Sequence, residues 1–94
     1  MASRRHARIG AAELALLEYT DSPTRRDTVY RAAMLSAVAH VLEHITDDER
    51  IVYQLEYIQH YSAEHASMES CMSRSSYYRA RWRLHNRIAN ELLK

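Results

Sequence analysis

Ninety-four residues suit one domain, or one domain with an arm, around a modest core, and a single glycine and a single proline leave too little turn material for a sheet. No apolar run is long enough to span a bilayer, the first eight residues lack the apolar stretch of a signal peptide, and one cysteine, Cys71, excludes an internal disulfide and fits a reducing cytoplasm. The net charge of +1 conceals a polarised chain: between residues 41 and 70 seven carboxylates face Arg50 alone, whereas the last twenty residues are strongly basic, which points to an anionic partner for that end.

Apolar residues recur at helical rather than alternating spacing, so an all-α bundle of about five helices is expected. Residues 1–8, with Arg4, Arg5 and Arg8, read as a flexible basic arm with solvated charges. Residues 9–45 read as a helical hairpin. Its first helix, from 9 to about 19, is rich in good helix formers (Ala11, Ala12, Leu14, Ala15, Leu16, Leu17). Thr20, Asp21, Ser22 and Pro23 break it, and Asp21 or Ser22 caps a second helix with Pro23 in its first turn. That helix, from about 23 or 24 to 44, carries an inner stripe of Tyr30, Met34, Val38, Val41 or Leu42, and Ile45. Ser36, His40, Glu43 and Asp47 fall on the wet side. Leu35, Ala39 and Leu42 form a flank that packs on the first helix or on a second copy, so a homodimer is one expectation.

His40 and His44 stand one helical turn apart, a spacing that can hold zinc. Glu43 is expected to point elsewhere and the sequence does not place Asp47 beside them, so the pair reads as solvated histidines and no metal site is assigned. No glycine-rich phosphate loop and no nucleophile with a base beside it is visible, and Cys71 reads as a small buried residue. Neither an enzyme nor a cofactor is expected.

Residues 46–94 carry the strongest local signals. Thr46 and Glu49 form a Thr-x-x-Glu capping box, which starts a third helix at about Asp47, with acids at the positive end of its dipole. Ile51, Val52, Leu55 and Ile58 should line its inner face, with Tyr53 and Tyr57 covering the edges, and Gln59, His60 and Tyr61 ending it. Ser62 can cap a short fourth helix reaching about Ser70. Cys71 and Met72 turn the chain, and Ser73 caps a last helix over 74–93. This is the pattern of a helix-turn-helix. An inner stripe of Tyr77, Ala80, Leu84, Ile88 and Leu92 would leave Arg74, Ser75, Tyr78, Arg79, Trp82 and Arg83 outside.

The wording Tyr61-Ser62, a short helix, then Met72 through Arg79 and an Arg-rich helix ending near Leu92 resembles region 4 of sigma-70-type factors. More closely, it is similar to small phage late-gene transcriptional activators of the RinA and ArpU type, which also place an acidic helix just ahead of the motif. The resemblance covers the C-terminal half. It implies a sequence-specific DNA-binding regulator that activates late genes at a promoter in a bacterial host cell, with double-stranded DNA as partner and RNA polymerase as a further one. By position in those families and by the spacing above, Arg74, Ser75, Tyr78 and Arg79 are candidates for base contact. Ser73, Ser76, Arg81, Trp82 and Arg83 would face the phosphate backbone or support the readers.

The chain departs from the pattern at Ala66, Ser67, Ser70 and Cys71. Such motifs use larger aliphatic residues in the first helix and glycine at the corner, so a strained corner and a weak first helix are expected. Two rival readings follow: a helical protein-interaction or assembly module, and a DNA-packaging protein of small-terminase type using the same motif.

Overall fold

Alanine and leucine give the first helix its length and its burial pattern. In the computed structural model, which describes residues 4–21 and 29–93, with side chains over 10–20 and 32–93, every element is helical. α1 (Arg4–Asp21) starts earlier than the arm expected over residues 1–8 allows. Arg4 to Arg8 contain no breaker, and the helix propagates through them at one hydrogen bond per added residue. Residues 1–3 of that arm, the expected cap at Ser22, and Pro23 in the first turn after it lie outside the described residues, while Asp21, the other candidate cap, ends α1. α2 (Val29–Leu42) packs against α1.

The chain divides into two compact units, Met1–His44 with His85–Lys94, and Ile45–Leu84. In the first, each helical segment buries a triad at i, i+3, i+4: Ala12, Ala15 and Leu16 on α1; Val38, Val41 and Leu42 on α2; His85, Ile88 and Ala89 on the last helix. Leu14 and Leu17, on the other side of α1, stay exposed. Ser36 and His40 on α2 are exposed, and so is Glu43 just past its end.

The second unit begins with the capping box. Thr46 Oγ1 accepts the Glu49 amide at 3.3 Å, and Glu49 Oε1 accepts from the Thr46 amide at 3.3 Å and its hydroxyl at 2.8 Å. α3 (Asp47–Tyr53) follows and then widens into a π-helical turn (Gln54–Ile58), in which the Gln59 amide donates to Gln54 O. A π turn inserts one extra residue into the helical path, which turns everything after it by roughly 100°. The inner face expected from Ile51, Leu55 and Ile58 therefore does not form. Ile58 is 51 % exposed and Ile51 and Leu55 are half-buried; Val52 is buried as expected, and Tyr57, expected only at an edge, is buried as well. The Tyr61 amide donates to Leu55 O across a left-handed His60 (φ 61°), which closes the helix as a glycine would at lower strain.

α4 (Ala63–Glu69) is capped by Ser62, whose Oγ accepts the His65 amide at 3.2 Å, and buries only Ala66 and Ser67. The corner is left-handed at Cys71 (φ 63°). Ser70 compensates for the missing glycine: its hydroxyl donates to Ser67 O at 2.8 Å and accepts the Met72 amide at 3.1 Å, so two groups at the helix end find partners. Cys71 itself is exposed rather than buried, because the reversal occupies the backbone here and turns the side chain to solvent. Ser73 caps α5 (Arg74–Leu92), its Oγ accepting the Ser76 amide at 3.2 Å. Tyr77, Ala80, Leu84 and Ile88 are all fully buried, and Leu92 is half-buried.

No helix among the described residues is long and apolar enough to cross a membrane. Leu84→Ala should lower the unfolding free energy by about 2–5 kcal/mol in urea titrations, since it empties a fully buried site. Cys71→Gly should raise it by about 1 kcal/mol, because glycine adopts the corner's positive φ without the Cβ clash.

Candidate nucleic-acid interface

The first half of α5 lies in the unit Ile45–Leu84, and its rotation about its own axis is set by a carboxylate two elements earlier. Glu56, in the π turn, accepts a short hydrogen bond from the Tyr77 hydroxyl, while Arg81 Nε donates to both its oxygens at 2.9 and 3.0 Å. The Glu56 side chain is 7 % exposed, so its charge is tolerable only because both partners are in place. Burial, first, and then the hydrogen bond and charge of Glu56 raise the Tyr77 hydroxyl well above its ordinary value, against a smaller opposing effect of Arg81. Tyr77 is therefore a protonated donor throughout the physiological range.

Tyr77 and Arg81 stand one turn apart, so gripping both fixes one face of α5 inward. On the remaining surface Ser73, Arg74, Ser75, Arg79 and Trp82 are exposed, and Ser76, Tyr78 and Arg83 are half-buried. The Arg74 guanidinium lies 5.2 Å over the Tyr78 ring, a cation–π contact that holds the cation at the helix start without neutralising it. Tyr78 in turn meets the Tyr77 ring edge-on at 5.8 Å between centroids. The first turn of α5 contains no acidic residue, so its free amides and positive dipole end add to the charge of Arg74. Among the described residues, Arg79 and Arg83 have no ion-pair partner.

Of the nine residues singled out from the sequence, the structure brings eight onto this surface or its edge. Arg81 is different. It is engaged by Glu56 inside the unit and serves the fold, which matches a supporting role and not a cation offered to phosphate. Ser73 spends its side chain on the cap. Trp82 is 40 % exposed, between covering a neighbour and standing free.

Sequence reasoning missed Glu56. A signal was present: Tyr77 and Arg81 put a hydroxyl and a guanidinium on or beside a buried stripe, and both need an acceptor from another element. Only the π turn, which periodicity does not show, brings that acceptor into phase. Compared with protein-family models, curated proteins and solved structures, the chain matches none of them.

Glu56→Ala should destabilise the unit by roughly 2–4 kcal/mol, because the Tyr77 hydroxyl and Arg81 both lose an acceptor. The raised Tyr77 value has a definite sign. Its contribution is complete below pH 10.0, the ordinary phenol value, and is lost as pH rises from there, at up to about 1.4 kcal/mol per pH unit. Unfolding curves of wild type and Tyr77→Phe should therefore converge above that pH and run parallel below it.

Proposed function

We propose that Ile45–Leu84 is a DNA-binding helix-turn-helix and that the chain is a transcriptional regulator of the phage late-activator kind. One observation carries the reading. Tyr77, Ala80 and Leu84 are wholly buried, and the opposite surface of the same turns presents Arg74, Ser75 and Arg79. A helix that enters a major groove needs this division: apolar contacts to hold it, and donors near its start to reach base edges and phosphates. Arginine can pair with guanine through two bonds, so Arg74 and Arg79 would specify sequence, with Ser75 and Tyr78 beside them. Arg83 would meet phosphate, and Ser76 and Trp82 would flank it.

The partners follow from the same reading. Double-stranded DNA is the ligand of α5. The exposed acids at the start of α3, Asp47 and Asp48, together with the N-terminal helices, would meet RNA polymerase at a promoter or a second copy of the chain, which rests on the family resemblance. An assembly module or a small-terminase-like packaging protein would use the same helices with different consequences for DNA.

Electrophoretic shift with the neighbouring promoter DNA against random DNA, at two salt concentrations, separates these. Preference for the promoter is expected, and affinity should fall with salt at a logarithmic slope of about −1 for each phosphate contacted. Arg79→Ala should weaken promoter binding about tenfold or more while leaving the unfolding midpoint unchanged, since Arg79 is exposed. Wild-type promoter affinity in Arg79→Ala at moderate salt would show that the reading face lies elsewhere. Equal, weak binding to both DNAs would favour the packaging or assembly roles.

A further inference from the structure

The end of α2 gathers a cluster that DNA binding does not use. His40, Glu43 and His44 are all exposed, and one ring nitrogen from each histidine and a carboxylate oxygen of Glu43 lie within 4.8 Å of one another. The two imidazole rings are 4.8 Å apart between centroids. From the sequence, Glu43 is expected to point elsewhere; positions i, i+3 and i+4 share one side of a helical turn, and in the turn that closes α2 its carboxylate lies alongside the histidines.

We propose that His40, Glu43 and His44 form a binding site for one divalent cation of the zinc class. Three observations support it. His40 in the last turn of α2 and His44 just past its end keep their rings on the same side, the arrangement in which two imidazoles share a metal. His44 Nδ1 lies 2.9 Å from His40 O; a carbonyl only accepts, so Nδ1 carries the proton and Nε2 keeps its lone pair for a metal. That bond is the orienting contact that metal-binding histidines use, a ring N–H given to a backbone carbonyl. The site also stands at the C-terminal end of a helix, where the negative end of the dipole favours a cation.

Distance and charge agree. Tetrahedral zinc with bonds near 2.1 Å needs ligand atoms about 3.4 Å apart, and rotation of three exposed side chains closes the difference from 4.8 Å. His40 and His44 line one cleft with Val41, Arg87, Asn90 and Glu91. Glu91 and Arg87 bring opposite charges to that lining, so the carboxylate that favours a cation is Glu43, beside the two histidines. Two nitrogens and one oxygen select zinc, cobalt, nickel or copper over magnesium and calcium, which prefer all-oxygen sites. A bound ion would join the last turn of α2 to the turn that follows it and hold that helix end closed.

Titration of the full-length chain, without a polyhistidine tag, with ZnCl2 by calorimetry and with CoCl2 by visible absorption tests the site. One equivalent should bind, with cobalt giving the absorption of a low-symmetry nitrogen and oxygen site, and a millimolar excess of Mg2+ should leave the isotherm unchanged. His40→Ala and His44→Ala should each weaken binding about tenfold or more, and Glu43→Gln by less. These three side chains are exposed, so circular dichroism should show unchanged helix content in every variant. His65→Ala and Cys71→Ser, which remove exposed donors elsewhere, should bind as wild type. Absence of saturable binding, or binding that survives the combined His40→Ala and His44→Ala change, overturns the proposal.

Discussion

Glu56 is the constraint on which the arrangement of the basic helix depends. Apolar contacts alone do not fix the rotation of a helix about its axis, because they are non-directional and tolerate sliding. A carboxylate bonded at once to Tyr77 and Arg81 is directional. Turning α5 by one residue, roughly 100°, would break both contacts and leave a charge on a side chain that is 7 % exposed. The positions of Arg74 and Arg79 on the outer surface are thus set by polar chemistry on the inner one. Arg81 is the instructive case among the arginines, since the same side chain that raises the count of positive charge is spent on holding the helix that presents the others.

The motif is built from weak parts, each secured by a hydroxyl. Thr46, Ser62 and Ser73 accept first-turn amides, and Ser70 both donates and accepts at the corner. Each such bond contributes about 1 kcal/mol, small for a large core but substantial for α4, whose buried side chains are only Ala66 and Ser67. Polar groups here do what glycine and larger aliphatic residues do elsewhere. The consequence is a corner that carries a positive φ at Cys71 without glycine, yet keeps its end groups bonded.

Much of this was legible in the sequence because it is local. Caps depend on residues three apart, so Thr46 with Glu49, Ser62 and Ser73 located the starts of α3, α4 and α5. The stripe Tyr77, Ala80, Leu84 and Ile88 followed from a regular period, and the exposure of Arg74, Ser75 and Arg79 followed from the stripe. What was hidden is what breaks regularity. The π turn has no side-chain signature, so Ile58 was placed inside and Tyr57 at an edge, and Glu56 had no role. The apolar character of Cys71 is overridden by the reversed backbone, whereas the side that Glu43 shares with His40 and His44 is already contained in their i, i+3, i+4 spacing. Arg4 to Arg8 were read as an arm because charge suggested solvent, though nothing in those residues resists the helix.

The most direct measurement follows the arginine Nε–H resonances of the chain by NMR as a promoter duplex is added. The account predicts that the signals of Arg74 and Arg79 shift on binding, while Arg81 Nε–H keeps the position given by its bond to Glu56. Movement of Arg81 with loss of that bond, or a duplex that binds without disturbing Arg74 and Arg79, would contradict it.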